Sequence, residues 1–498
     1  MKKKLLCLCF ILISVSLVAC DNNGIGDIIG ENTRYSLNIE VEGFGNVITE
    51  SGEYNANTTV VIDIDPEEDS FFDEWAGPNS NDVQYRDGKW KILMDGDKEI
   101  TAVFDLKVNA VRIEEKDGYY MVELNYDSGL SHYEIGEIYG KKLVKKINGF
   151  EEKIDSYIGT LLDLGVTEEQ MFMAVEIIKD QIQEEYKEEI KGIASQLSGN
   201  VDQLNDGKLS LNELLIFNLF GDIFAADSCS AISVFGDLSE DASTILGRNL
   251  DWYVGNDEIT SLHAVKKYRN GDQSFVSIAT LGYMGVITGF NNNQIFGAHL
   301  ISSTFQDTLE VGTRSFAMDL RYALENANSI DGVADYTNNN NYSVSHLVYL
   351  ADPEISKVLE NYTGNNEQNQ LRTNACQIRA EWNIPDSIAA VNAFMLDSKP
   401  DNFSNLSGNT ARWESIVKEL SAKGDNISFK DIKDIITYFS GDTPGRHSDG
   451  DLYSVNGNNI TTQTIVFKPE TLELEVFFKP VGDLPANPNF EKIDISFD

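Results

Sequence analysis

"AADSCSAISVFGDLSEDASTILGRNLDW", residues 225–252, sets one cysteine among small residues and follows it with Gly247, Arg248, Asn249, Leu250, Asp251 and Trp252. A lone cysteine is most often a small packed hydrophobe, so Cys229 has to be weighed as core filler or as a reacting thiol. For amide chemistry a thiol needs a base that makes thiolate, a cation or dipole that holds it, and donors for the oxyanion. After Cys229 the chain changes to short strands with glycine turns, "FVSIATLGYMGVITGFNNNQIFGAHLISS".

Two bases are open to Cys229. The five histidines, His132, His263, His299, His346 and His447, allow a papain-like pair, although none lies in a local signature and such pairs are spatial rather than sequential. A cut just before the cysteine supplies another base. The new α-amino group has a pKa of about 7.7 to 8.0 against about 8.5 for a free thiol, so it can take the thiol proton within one residue.

"DSCSAI" followed by "GRNLDW" resembles the linear amide carbon-nitrogen hydrolases. This N-terminal-nucleophile group includes choloylglycine hydrolases, acid ceramidase, N-acylethanolamine amidase and penicillin acyltransferase. The likeness is nearest to the penicillin acyltransferase branch, and it extends over about 110–498. "SGLSHYEIGEIYG" and "EEYKEEIKGIA" resemble the segment ahead of the nucleophile, and "LGYMGVITGFNNN" the glycine-rich strand pair after it. "RSFAMDLRYALENANSIDGVADY" is similar to the following helix, and "SIAAVNAFML" with "NTARWESIVKEL" to the late asparagine strand and arginine helix.

The resemblance implies self-cleavage between Ser228 and Cys229, which frees Cys229 as the nucleophile with its own amine as base. It implies Arg248 as the holder of the thiolate, Asp251 as the group that orients the α-ammonium through a charge-assisted hydrogen bond, and Asn392 as a donor to the oxyanion. Arg412 braces the site from a helix. Asn374, in "RTNACQIRA", is a rival for the asparagine, and Cys376 beside it reads as a buried thiol. Cys229-Ser230 stands where many relatives carry Cys-Thr. "FGAHLISSTFQD" lacks both the asparagine of choloylglycine hydrolases and the glutamate of the ceramidase branch. The second oxyanion donor is then a backbone group or His299, and neither a bile-salt nor a ceramide substrate is assigned.

The rest of the chain frames this core. Among 498 residues, 80 are acidic and 39 basic, a formal charge of −41, which repels phosphate backbones and speaks against a nucleic-acid partner. "MKKKLLCLCFILISVSLVAC" has a basic head and an apolar run of about fifteen residues, as secretory signals do. Its end, Leu17-Val18-Ala19-Cys20, resembles the bacterial lipoprotein signal, with lipidation at Cys20; a transmembrane anchor is the competing reading. Of five cysteines, two lie in the signal and one is the lipid site, leaving Cys229 and Cys376 and no disulfide framework. From Tyr35 the sequence alternates apolar and polar, and "EGFGNV", "FFDEWAG" and "KEITAVF" resemble the internalin-type bacterial repeat over 35–105. Strands are predicted over 106–128 and helices over 137–222, with a capping box from Thr167 to Gln170. Asp202, Asp206, Gly207 and Glu213 imitate a calcium loop, but Leu204 at its third position cannot supply the oxygen, so the stretch reads as a helix connection.

The expectation is therefore an α+β protein. It has a signal peptide at 1–20, a tether at 21–34, a small all-β repeat at 35–105, and a four-layer αββα sandwich over about 110–498. The sandwich is divided into a pro-segment, 106–228, and a catalytic segment, 229–498, and the fragments 21–228 and 229–498 stay associated. The expected function is an exported, lipid-anchored amidase or acyltransferase acting on a small linear amide, with no metal or organic cofactor. The reading from another class is a non-catalytic surface protein that binds through the repeat and carries an inactive hydrolase scaffold.

Overall fold

The computed structural model describes residues 33–67, 69–224, 228–302, 309–338, 340–364 and 369–497. The signal peptide, Cys20 and most of the tether lie outside the described residues. The chain divides into two compact units, one of residues up to Val41, Val47–Asp65 and Trp75–Ala102, the other of Glu42–Asn46, Pro66–Glu74 and Val103–Asp498.

In the smaller unit the alternation seen in the sequence does what period-two patterning dictates. Thr59–Ile62, Lys89–Leu93 and Val83–Arg86 pair as a three-stranded sheet. One face buries Val60, Ile62 and Ile92 with Leu37, Met94 and Ile100. Trp75, half-buried, meets Trp90 edge to face at 6.1 Å.

The larger unit is built on two sheets. The first has nine strands that lie side by side in chain order: Val111–Glu115, Tyr120–Asn125, His263–Arg269, Phe275–Thr280, Thr288–Asn291, Phe296–Ile301, His346–Ala351, Ser356–Asn361 and Gln370–Arg372. Every neighbour pair is antiparallel except Tyr120–Asn125 with His263–Arg269, where the chain before Cys229 joins the chain after it. The second sheet runs Ser387–Val391, Ser230–Val234, Ile245–Tyr253, Asn459–Lys468, Glu473–Phe478 and Glu491–Ile493, with Val455–Asn456 paired to Asn459–Lys468.

Both faces of each sheet are covered, which is why the strands read as apolar runs rather than clean alternations. On the second sheet Ile232, Val234, Ile245 and Val466 pack on Trp413, Ile416, Ile432 and Ile436 of helices Ser407–Lys423 and Phe429–Ile436. Its other face, with Ala231, Leu246 and Phe467, meets the first sheet; Phe290 stacks on Phe467 at 4.4 Å, and Tyr349 donates to Ser233 Oγ at 2.7 Å. The far face of the nine-stranded sheet carries helices Phe316–Asn326 and Ile330–Asn338, with Leu320 set against Gly297 and Leu324 against Gly289. The order helix, sheet, sheet, helix is the αββα sandwich.

Helices before Cys229 span His132–Lys146, Phe150–Gly159, Glu168–Ile178, Glu184–Ala194 and Leu211–Asn218. The first begins ahead of the predicted 137 because Ser131 and Glu134 form a capping box; Thr167 and Gln170 form another, as the sequence indicates. His132–Lys146 crosses Glu184–Ala194 at contact distance, since a Cβ on Gly136 would lie 2.1 Å from the Glu189 carbonyl oxygen. The stretch that imitates a calcium loop connects helices. Glu213 accepts from the Ser210 and Gln203 amides, and Asp202 from Ser210 Oγ and Asn212.

A buried ionic cluster joins the two parts of the chain. Arg321, fully enclosed, pairs with Glu189 at 2.8 Å and Glu325 at 3.1 Å, and its guanidinium lies 4.0 Å above the Tyr186 ring and 4.8 Å from that of Tyr268. Tyr126 and Tyr186 donate their hydroxyls to Glu189 and Glu325. Removing one member leaves a buried charge uncompensated, which costs about 3 to 5 kcal/mol. Arg321→Met is expected to lower unfolding free energy by about that amount in urea denaturation, whereas Lys430→Ala, which breaks an exposed pair with Asp434, should change it by no more than about 1 kcal/mol.

Candidate active site

Cys229 stands one residue before the strand Ser230–Val234, which lies between Ser387–Val391 and Ile245–Tyr253. Ser230 is opposite Val391 on one side and Asn249 on the other, so one step back sets Cys229 level with Asn392 and Leu250. The Ser228 amide continues the ladder by donating to the Asp251 carbonyl at 3.1 Å. Residues directly opposite one another share a face. Leu250 is in turn opposite Gln463, and one row therefore runs Asn392, Cys229, Leu250, Gln463 across four strands.

Arg248, two residues before Leu250, lies on that same face. Its Nη2 is 3.6 Å from Cys229 Sγ and donates to the His299 carbonyl of the facing sheet at 2.8 Å. Arg248 and Cys229 are both fully buried. A permanently charged guanidinium against a thiol inside the protein favours thiolate. Asn392 accepts the Cys229 amide proton at Oδ1, while its Nδ2 donates to the Ile301 carbonyl at 2.7 Å. Arg412, from the helix on the opposite face, donates to the Cys229 carbonyl at 2.6 Å, Ser230 Oγ at 3.1 Å, Asn392 Oδ1 at 3.1 Å and Asn409 Oδ1 at 2.7 Å. Two donors on Oδ1 and an acceptor on Nδ2 fix which way the Asn392 amide points.

Asp251 follows a bulge at Leu250/Asp251, the kind of irregularity that re-aims a side chain. Its carboxylate accepts from Thr461 Oγ1 and from His447 Nε2, the latter at 2.9 Å, and Ser454 Oγ lies 2.6 Å from the same His447 nitrogen. Burial and the nearby Arg412 charge hold the His447 pKa below its usual value despite Asp251, so its ring is neutral at neutral pH and serves as a donor.

The structure brings Cys229, Arg248, Asn392 and Arg412 into one cluster, with Ser228 and Asp251 at its border. Arg412 touches the Cys229 backbone directly rather than bracing from a distance. Asn392 faces the Cys229 nitrogen with its oxygen, not with the amide donor that the resemblance implies. His299 contributes its carbonyl to Arg248, and its Nε2 lies 3.0 Å from the Phe316 carbonyl. Asn374 is exposed, and Cys376 is half-buried rather than buried, in a turn where the Thr373 amide donates to its Sγ at 3.4 Å. Sequence reading missed Ser454, Thr461 and Asn409, and named His447 only among the histidines that could pair with Cys229, not as the partner of Asp251. Only Asn409 carried a signal, the i, i+3 spacing that sets it on the Arg412 face of one helix.

Beside Leu250 a cavity of about 50 Å³ opens between the sheets. Leu250, Trp252, Thr462 and Gln463 come from one sheet, His263, Ala279 and Thr280 from the other, and Tyr157, Phe217 and Phe220 from helices before Cys229. Among the described residues no cluster of His, Cys, Asp or Glu could hold a metal ion.

No protein-family model and no curated protein matches the chain. Solved structures do. A Caenorhabditis elegans N-acylethanolamine-hydrolyzing acid amidase ortholog is 14% identical over 48% of this chain and 93% of its own, with a TM-score of 0.33. A mutant conjugated bile acid hydrolase from Clostridium perfringens is 13% identical over 54% and 97%, with a TM-score of 0.32. Penicillin V acylase from Agrobacterium tumefaciens is 14% identical over 54% and 86%, with a TM-score of 0.33. At such distances the chemistry has to be argued from this chain's own side chains.

His263 ties the cavity to pH. Burial pushes its pKa down to about 4 from 6.5. The unfolded chain thus binds more protons between those values, and stability falls as pH drops through that window, by roughly 2 to 3 kcal/mol between pH 7 and 4.5. His263→Asn should lose that much less stability over the same interval, read from urea midpoints at both pH values.

Proposed function

We propose that the protein is a cysteine amidase that cuts its own chain at Ser228-Cys229 and then acts on a small linear amide. The observation that carries this reading is the grip on one residue: Asn392 on the Cys229 amide, Arg412 on its carbonyl, and Arg248 within 3.6 Å of its sulfur. Core packing alone does not call for two buried guanidinium groups around a thiol, since enclosing each ion is costly.

In the self-cleavage step Cys229 Sγ bonds to the Ser228 carbonyl carbon and the carbon-nitrogen bond to Cys229 breaks. The nitrogen takes the thiol proton, and water hydrolyses the resulting thioester to a Ser228 carboxylate and a free thiol. The new α-amine keeps its contact with Asn392 Oδ1 and accepts the thiol proton, and Asp251, steadied by His447 and Thr461, places negative charge beside the ammonium. In turnover the thiolate attacks the substrate carbonyl, the leaving amine departs with the ammonium proton, and water resolves the thioester with the amine as base. For Asn392 to serve the oxyanion as well, Nδ2 must exchange the Ile301 carbonyl for it. Acyl transfer replaces hydrolysis when a second amine resolves the thioester.

Within the same proposal the protein is exported and anchored by lipid at Cys20, residues 35–105 act as a spacer, and the fragments ending at 228 and starting at 229 remain together. The shared nine-stranded sheet and the Arg321 cluster support that last point, because both draw on each side of Cys229.

A denaturing gel of purified protein should show two bands, one of them beginning at Cys229 by amino-terminal sequencing. Cys229→Ala should give one band and no detectable turnover of acyl anilides. A single band from the wild type together with turnover overturns the cleavage step.

A further inference from the structure

The chain is fastened on both sides of the bond that precedes Cys229. On one side is the hold on the Cys229 amide, carbonyl and sulfur. On the other, the last buried residue among those described is Asp222, in the short helix Phe220–Ile223, six residues ahead of Ser228. Ile223, Phe224 and Ser228 are half-buried, so packing does little to place this stretch. Asp222 and Ile223 border an open groove of about 460 Å³ together with Leu164, Met173, Leu309 and Val344. Hydrogen bonds place the stretch instead. The Asp222 carboxylate accepts from Ser315 Oγ at 2.7 Å and from the Phe316 amide at 3.2 Å, and its backbone carbonyl accepts from Ser343 Oγ at 2.8 Å. All three donors follow Cys229 in the chain. Beside it Gly221 lies so close to Phe316 that a Cβ there would stand 2.7 Å from the ring.

The anchor point belongs to the frame that fixes the thiol. The Phe316 carbonyl lies 3.0 Å from His299 Nε2, the His299 carbonyl accepts from Arg248, and Arg248 reaches the Cys229 sulfur. Capping the helix Phe316–Asn326 accounts for the bonds from Ser315 and Phe316. It does not account for the bond from Ser343, which lies outside that helix and meets the Asp222 backbone. A carboxylate is also a costly group to enclose here: burial, with the charge of Asp319 adding to it, lifts the Asp222 pKa to about 7 from 3.8. We infer that Asp222 is a positioning residue for self-cleavage, fastening the leading segment to Ser315, Phe316 and Ser343 so that the Ser228 carbonyl carbon is presented to Cys229 Sγ. The inference rests on the reading of Cys229 as nucleophile. In the step it serves, that carbon passes from the Cys229 nitrogen to the sulfur, and the thiol proton goes to the nitrogen. Attack needs the two reacting atoms about 3 to 3.5 Å apart. Six residues of chain reach up to about 20 Å, so a fixed start is what keeps the carbonyl within range.

Cell-free synthesis of the full chain, followed over time on denaturing gels, reads the rate of cleavage. Protein left until fully cut then gives turnover of an acyl anilide and the thermal midpoint. Asp222→Ala should slow cleavage roughly tenfold to a hundredfold, as a displacement of about 1 Å can. Asp222→Asn, whose oxygen takes the Phe316 amide proton and whose nitrogen donates to Ser315 Oγ, should be cut within about threefold of the wild-type rate. Ser343→Ala removes one neutral bond and uncaps no helix; it should slow cleavage about threefold to tenfold and leave the thermal midpoint unchanged. Turnover per cut molecule should stay within about threefold in each variant, because the bonds from Phe316 through His299 to Arg248 do not pass through Asp222. A slowing in Asp222→Ala that lowers thermal midpoint and turnover alike, with Ser343→Ala cut as fast as the wild type, marks a helix cap and overturns the inference. Should Asp222→Ala fail to fold, Ser343→Ala decides alone. A wild type that stays whole overturns the cleavage reading itself, whereas a wild type that is cut no faster than Asp222→Ala and Ser343→Ala overturns the anchor and keeps that reading.

Discussion

One residue, held at three atoms, organises the larger unit. The amide, carbonyl and sulfur of Cys229 each meet a different element: the strand end at Asn392, the helix carrying Arg412, and the neighbouring strand through Arg248. Two of the three holders are tied to each other, because Arg412 also bonds Asn392, and the third, Arg248, is tied to the facing sheet. Arg412 can be enclosed because two backbone carbonyls and three side-chain oxygens converge on it, while Arg248 meets the His299 carbonyl and the Cys229 sulfur.

This explains the layered architecture around the thiol. A strand buried on both faces presents alternate residues to opposite layers, so Ser230 reaches the helix side and Ala231 the sheet side. Cys229 stands where its backbone can be gripped from the helix layer and its sulfur from the gap between sheets. The cavity by Leu250 opens in that same gap.

Much of this is legible before any coordinates. The strands after Cys229, the helix Phe316–Asn326 and the Thr167–Gln170 capping box follow from apolar spacing and local turn chemistry, whereas the Ser131–Glu134 box escaped that reading. Arg248 and Asp251 are reached through the family resemblance of "GRNLDW". Asn392 and Arg412 are reached in the same way, since no local pattern singles them out. The ties of His447 and Thr461 to Asp251 are invisible for a physical reason: they span 196 and 210 residues of chain, and neither a histidine in a turn nor a threonine on a late strand shows in the sequence which distant carboxylate it meets. The orientation of the Asn392 amide is equally out of reach, for it depends on which neighbours donate and which accept.

The strand order has a temporal meaning. Tyr120–Asn125 finds its parallel partner only in His263–Arg269, and Asn392, Arg412 and Thr461 are made later still. During synthesis the helices preceding Cys229 emerge first and must wait, covered by their own apolar contacts, for partners far downstream. The grip on Cys229 closes only after most of the polypeptide has appeared, so a truncated product leaving the ribosome early carries the thiol but lacks the groups that hold it.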